Sequence, residues 1–247
     1  GLISIKISKN VTEIGDYAFG CCSSLTSIEI PGRVRRIGRD AFKGCIGLTS
    51  IEIPDNVIEI SDFAFKGCTG LNSLTVGKNN QYYCGENNCI LTKDKTSLIV
   101  GCKNSIIPDG ITKIGKAAFD GCTGLISLKI PDSVTEIGEG VFSGCNGLTS
   151  IVIPDSVTEI GDSAFAYNTG LTSLEIPGSI TEIGYDAFYG CPHLKDVFID
   201  AKQSSTIEFL LETIPQRKRI TLHVPVESEY ADLHGEATKG FNLNYSY

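Results

Sequence analysis

The chain has no methionine and no tryptophan, and only three histidines, His193, His223 and His234. All three fall late in the sequence, too few and too far along for a histidine-based triad that draws on the earlier cysteines. No apolar stretch approaches the roughly 18 residues of a membrane span, so this segment is not expected to insert in a bilayer. Positive charge is also scarce: 21 Lys and Arg stand against 29 Asp and Glu, a net charge of −8. Nucleic-acid binders and anionic-membrane binders need clustered positive charge, so neither is expected. The lack of any Met, with Gly1 placed directly before a repeat, implies a chain that is not a complete translation product. The missing leader therefore says nothing about the compartment.

What is present is repetition. A 23-residue unit, Leu-x-x-Ile-x-Ile-Pro-x-x-Val-Thr-x-Ile-Gly-x-x-Ala-Phe-x-Gly-Cys-x-Gly, begins at Leu2, Leu25, Leu48, Cys102, Leu125, Leu148 and Leu171. A period of 20 to 29 residues with inward Leu and Ile at positions 1, 4 and 6 marks a leucine-rich-repeat solenoid. The expected fold is an α/β repeat solenoid, a right-handed array with a β-hairpin insertion and a C-terminal cap.

Within one unit, Leu25-Thr-Ser-Ile-Glu-Ile30 alternates as a strand does, and Pro31 ends it by removing a donor. Val157-Thr-Glu-Ile160 exemplifies a second short β run. Glycine at position 14 suits a corner that needs an unusual φ or a close backbone approach. Ala and Phe at positions 17 and 18 read as a short helical or 3₁₀ turn. Phe19, Phe42, Phe65, Phe119, Phe142, Phe165 and Phe188 are expected to stack as an aromatic core spine. Six of the ten cysteines, Cys22, Cys45, Cys68, Cys122, Cys145 and Cys191, share position 21, where Asn168 stands in one copy. A cysteine recurring once per coil reads as a ladder of small buried hydrophobes rather than a disulfide scaffold.

The solenoid is expected over residues 1–193, with a variant unit at 71–101 and a repeat remnant plus cap at 194–247. In the variant unit two β-rich runs flank Lys93-Asp-Lys-Thr96, which reads as a hairpin projecting from the coil. Cys84, Cys89 and Cys102 cluster there, and a local disulfide among them is left open. Metal binding is disfavoured, since no Cys-x-x-Cys occurs and no histidine is near in sequence. In the C-terminal segment, Ser205 to Ile214 and the stretch around Tyr230 read as helical.

The repeat unit closely resembles the BspA-like leucine-rich-repeat proteins, found on the surfaces of bacteria and some protozoa. The resemblance runs from Leu2 to about Pro225, and the variant unit with Tyr82-Tyr83 and Thr92 to Leu98 resembles a hairpin form common in that family. It implies a secreted or cell-surface protein, with adhesion to host matrix proteins such as fibronectin or fibrinogen. It supplies no catalytic or cofactor residues.

Nothing in the residues adds chemistry. Gly110-Ile-Thr-Lys-Ile-Gly115-Lys116 comes within one residue of a phosphate-binding loop, but Ala117 stands where Ser or Thr must hold Mg²⁺. Glu13, Glu59, Glu136, Glu159 and Glu182 share position 12 and read as a solvated face. No enzyme activity and no cofactor are expected. A partner would be read from what varies between repeats. The first candidate is the outward strand column at position 5, Lys6, Glu29, Glu52, Lys129, Val152, Glu175 and Phe198, as a protein-binding face. The second is the basic island Arg33, Arg35, Arg36 and Arg39 with Lys43, which would hold an anionic glycan or else pair with Glu13, Asp16 and Glu59 on adjacent coils. The hairpin at Lys93 to Thr96 is a third candidate, because projecting loops often carry function, and a structural spacer in a larger surface protein is the remaining reading.

Overall fold

The computed structural model describes residues 1–199, 214, 220–223 and 242–244. Its strands in chain order are β1 (Ser4–Ile5), β2 (Glu13–Ile14), β3 (Ser27–Ile28), β4 (Arg36–Ile37), β5 (Ser50–Ile53), β6 (Glu59–Ile60) and β7 (Ser73–Val76). They continue as β8 (Tyr83–Glu86), β9 (Cys89–Thr92), β10 (Ser97–Val100), β11 (Lys113–Ile114), β12 (Glu136–Ile137) and β13 (Ser150–Val152). The last are β14 (Glu159–Ile160), β15 (Ser173–Ile176), β16 (Glu182–Ile183), β17 (Asp196–Ile199), β18 (Thr221–His223) and β19 (Asn242–Asn244). The expected helices at 205–214 and around Tyr230, and most of the cap, lie outside the described residues.

Each regular coil is three runs joined by three turns. Val34 N–H donates to the Pro31 carbonyl (2.9 Å), Ala41 N–H to Gly38 (3.3 Å), and Leu48 N–H to Cys45 (3.1 Å). These i→i+3 bonds close β-turns at the Pro-x-x-Val, Gly-x-x-Ala and Cys-x-x-Leu steps of the repeat. The invariant-looking letters of the sequence are therefore corner residues as much as core residues.

The first runs stack in parallel as β1-β3, β5-β7 and β13-β15-β17-β18-β19, and the second runs as β2-β4-β6 and β16-β14-β12-β11-β10. Register is set by the repeat itself: Ser150 faces Ser173, and Glu136 faces Glu159. A shift of one residue would turn the inward Ile and Leu to solvent.

The third run corrects the α/β assignment. No helix occurs among the described residues; the Ala-Phe segment is an arc of linked turns bonded to the next coil. Tyr17 N–H donates to Arg39 (2.9 Å), Phe19 to Ala41 (2.7 Å) and Cys21 to Lys43 (2.6 Å). The arc alternates into the left-handed region at position 16 (Tyr17, Asp40, Phe63, Ala117, Gly140, Ser163, Asp186) and position 20 (Cys21, Gly44, Gly67, Gly121, Gly144, Tyr167, Gly190). That alternation aims every second N–H group along the solenoid axis, while the ones between close i→i−3 turns, Ala18 on Gly15 (3.2 Å), Gly20 on Tyr17 (2.9 Å) and Cys22 on Phe19 (3.1 Å). The fold is thus a β-solenoid. Position 14 glycine serves close approach, since a Cβ on Gly184 would meet the Asp162 backbone nitrogen at 2.2 Å.

The cysteine ladder has a polar function. Cys45, Cys68, Cys145 and Cys191 donate their thiols to the carbonyls of Phe19, Phe42, Phe119 and Phe165 in the preceding coil, at 3.0–3.3 Å. Asn168 takes the same place through its Nδ2 on Phe142 (2.9 Å), leaving its buried Oδ1 without a partner among the described residues. All ten cysteines are free. Burial pushes the thiols of Cys45, Cys89 and Cys191 up to about 11 and that of Cys122 up to about 12.

The variant unit rebuilds one coil. After β7 the chain makes a meander in which β8 and β9, and β9 and β10, pair antiparallel, and β10 joins β11 in parallel in the second-run ladder. β9 is buried on both sides: Cys89 and Leu91 belong to the C-terminal core cluster, while Ile90 belongs to the N-terminal one. Nor does the β8–β9 turn project into solvent. Asn88 Oδ1 accepts from Leu74 N–H (3.0 Å), its carbonyl accepts from the Ser105 hydroxyl, and Asn87 accepts from Ile106 N–H (3.1 Å). This wedge separates β7 from the following coil and interrupts the first-run sheet. The β9–β10 turn is exposed, with Lys95 paired to Glu86 at 2.7 Å, whereas in the β8–β9 turn Asn87 is exposed and Asn88 is half-buried. The unit has no third arc, so the expected spine is two stacks. Phe19, Phe42 and Phe65 stack at 5.2–5.3 Å, and Phe119 to Phe188 at 5.3–5.5 Å, with no stacking between Phe65 and Phe119.

Candidate binding faces

The position-5 column is exposed at Lys6, Glu29, Glu52, Lys129, Val152 and Glu175, and half-buried at Phe198. It is not one continuous sheet. Glu52 lies within β5, whereas Lys6 and Glu29 fall just beyond β1 and β3, and Lys129 lies on a coil without a first-run strand. The wedge at Asn87-Asn88 divides these residues into an N-terminal and a C-terminal group.

In the C-terminal group the geometry is regular. Val152 faces Glu175, Glu175 faces Phe198, and Phe198 faces His223. Successive rungs are about 4.8 Å apart. Val152 is 61% exposed, the Phe198 and His223 rings stack at 4.1 Å, and His223 Nε2 lies 3.0 Å from Asp196 Oδ1. His223 is a functional candidate that the repeat pattern did not reveal, because the pattern has dissolved by that point. Its signal was its place within the β-rich run 220–224.

The basic island is largely used inside the solenoid. Arg36 bridges Glu13, Asp16 and Glu59, so its coil is bound to both neighbours. Glu13, then Glu59, then Asp16 hold the Arg36 guanidinium more firmly protonated than usual. Arg39 N–H donates to Asp16 at 2.8 Å and pulls that carboxyl below its ordinary range, while the Arg39 side chain lies 4.7 Å over the Phe63 ring. Lys43 sits 3.8 Å from Asp40. Arg33 and Arg35 remain exposed and form no ion pair among the described residues. The five residues therefore do not form one open anion-binding patch.

A second feature missed from sequence lies on the third arc, where Tyr185 is 73% exposed and Tyr167 and Tyr189 meet edge to face at 5.5 Å. Each departs from the residue type its siblings carry, and that departure was the available signal. Among the described residues no three His, Cys, Asp or Glu side chains come together to hold a metal ion, and no helix is long and apolar enough to cross a membrane.

Comparison with solved structures places this geometry in context. The pneumococcal vaccine antigen PcpA is similar over 96% of this chain and 71% of its own, with a TM-score of 0.76 at 18% identity. A leucine-rich cell surface protein of Faecalibacterium prausnitzii A2-165 is similar over 84% of this chain and 81% of its own, with a TM-score of 0.50 at 25% identity. A leucine-rich repeat protein of Eubacterium ventriosum covers 91% of this chain and 66% of its own, with a TM-score of 0.53 at 19% identity. No curated protein matches the sequence. The BspA type leucine-rich-repeat region matches residues 1–96 and 97–209, in six copies. With that match spanning most of its length and its coils built on the same 23-residue unit, the chain belongs to the BspA-type leucine-rich-repeat family.

Proposed function

We propose that the chain is a non-enzymatic protein-binding module of a cell-surface or secreted protein, and that its C-terminal first-run face carries the contact. The observation behind this reading is the ordered column Val152–Glu175–Phe198–His223, an outward apolar and aromatic ladder with one carboxylate on a rigid parallel sheet. Repeat arrays use such extended faces for partners, and here an exposed valine and a half-buried aromatic ring, two rungs apart on one face, flank a single carboxylate, Glu175. The family and the cell-surface protein of F. prausnitzii support the setting. Host matrix proteins such as fibronectin and fibrinogen are the partners proposed.

The anionic-glycan reading is weaker, because Arg36 and Arg39 are engaged by Glu13, Asp16, Glu59 and Phe63, leaving Arg33 and Arg35. Binding of the chain to immobilised fibronectin and fibrinogen, at low and physiological salt, tests the proposal. Saturable, salt-tolerant binding weakened about tenfold by Val152→Arg supports the first-run face. Binding that vanishes with salt and with Arg33→Ala plus Arg35→Ala transfers the assignment to the glycan reading. Absence of binding to either protein and to a sulfated-glycan panel favours a spacer.

A further inference from the structure

The third arc holds a row of N–H donors aimed at the next coil. In regular coils positions 16, 18 and 20 donate to the backbone ahead: Ala117 to Glu139 (2.8 Å), Phe119 to Val141 (2.9 Å) and Gly121 to Ser143 (2.7 Å). The coil at 61–67 is followed by the variant unit, which has no third arc, so its row faces residues 116–121 instead. Phe63 N–H and Phe65 N–H make no such bond, although both residues are only 6% exposed. Buried backbone donors are almost always satisfied, by protein, water or ligand. The Gly67 end of the row already faces an acidic group of the chain itself, the Asp120 carboxyl.

Phe63 and Phe65 line a cleft of about 60 Å³, together with Lys66 on their own arc and Gly115, Lys116 and Ala117 opposite. The Lys66 and Lys116 ammoniums lie 5.3 and 6.0 Å from the Phe63 ring centroid. Lys116 forms ion pairs with Asp62 at 3.6 Å and with Glu139 at 3.5 Å, both on half-exposed carboxylates that an incoming anion would have to displace. Lys66 forms no ion pair within 4.0 Å among the described residues. The volume is far below the roughly 300 Å³ of a small-molecule pocket, so it suits one polar group rather than a sugar ring.

We propose that this cleft is an oxyanion site. It takes a single carboxylate or sulfate group of a ligand, with Phe63 N–H and Phe65 N–H donating and Lys66 and Lys116 neutralising the charge. It is separate from the first-run face and stands whether or not that face binds protein. Asp62, which also lines the cleft, opposes the incoming charge and reports on it.

The test is a ¹H–¹⁵N titration of the full chain with sodium sulfate and with sodium acetate, against sodium chloride at matched ionic strength. The Phe63 and Phe65 amide resonances shift saturably with at least one oxyanion and not with chloride. A response to sulfate alone, acetate alone or both identifies a tetrahedral, a planar or a shared preference. Lys66→Gln and Lys116→Gln each weaken the response about tenfold, the loss of one charge-assisted contact. Asp62→Asn strengthens it. Amides that move no more than in chloride, or a titration unchanged by Lys116→Gln with the rest of the spectrum intact, overturn the proposal.

Discussion

At the scale of single residues, position 21 shows why one side chain type recurs. The Phe carbonyl behind it is enclosed in the core, and the thiol is small enough to fit while donating to it at 3.0–3.3 Å. Asn168 satisfies the same carbonyl but leaves Oδ1 buried and unpaired. An orphaned buried acceptor costs about 1–3 kcal/mol. Replacing it by the residue its sibling coils carry, Asn168→Cys, should therefore raise stability by about 1 kcal/mol, read as a higher urea midpoint. The same ladder predicts alkaline lability. Burial pushes the ladder thiols of Cys45 and Cys191 up to about 11 and that of Cys122 up to about 12, above the ordinary range of a cysteine thiol, and Cys89 beside the ladder goes to about 11 as well. As pH rises through 9 the unfolded chain gives up these protons first, so the native state binds more protons and loses stability from there to about 12. Urea midpoints should hold steady up to pH 8 and fall progressively above pH 9. In native protein a thiol reagent should label exposed Cys21 and spare the buried ladder members Cys45, Cys68, Cys122, Cys145 and Cys191 until the chain unfolds.

At the scale of elements, the short strands owe their register to neighbours rather than to length. Arg36 in β4 sits between Glu13 of β2 and Glu59 of β6, turning three like positions into an alternating-sign ladder. Arg36→Ala should lower the thermal midpoint at low ionic strength, by an amount that shrinks in about 0.5 M NaCl because these groups are exposed. Cross-strand like charges destabilise. At Gly101 the constraint is steric: a Cβ there would lie 2.1 Å from Phe119 Cε1. Gly101→Ala should cost about 1–3 kcal/mol by overpacking, visible as a lower urea midpoint with an unchanged slope. Much at this scale was readable from the repeat. The period located the first and second runs, and alternation in stretches such as Leu25 to Ile30 placed the inward residues. The third arc, read as a short helical or 3₁₀ turn, keeps i→i−3 turns but forms no helix, because its geometry depends on left-handed backbone at residues as ordinary as Tyr17, Asp40 and Ser163. Nothing in those side chains signals that conformation; the hydrogen bonds to the next coil impose it. The use of Arg36 was legible as one of two alternatives, since charges 23 residues apart fall on adjacent rungs. The oxyanion cleft was not, because its donors are backbone groups and the feature that exposes them is the lack of an arc elsewhere.

At the scale of the whole molecule, β9 partitions the interior. The cluster on one side runs from Ile14 to Cys102, and the one on the other from Cys89 to Leu222. Coils stabilise only their neighbours in such arrays. Phe142→Ala, in the centre of the second stack, should cost about 3–5 kcal/mol. Hydrogen exchange should show the loss concentrated between residues 103 and 199, with protection at 25–68 little changed. Uniform acceleration along the chain would mean that β9 couples the two halves rather than separating them.

The wedge at Asn87-Asn88 has a metric consequence. Since every coil advances the chain by one rung, about 4.8 Å, whole coils added or removed beyond β11 would slide the Val152–Phe198 ladder toward or away from the cleft in fixed steps. The clasp made by Asn88 with Leu74 and Ser105 would not be disturbed. The variant unit then works as the zero mark of a ruler, and the number of coils that follow sets the span across which a single partner could engage both places.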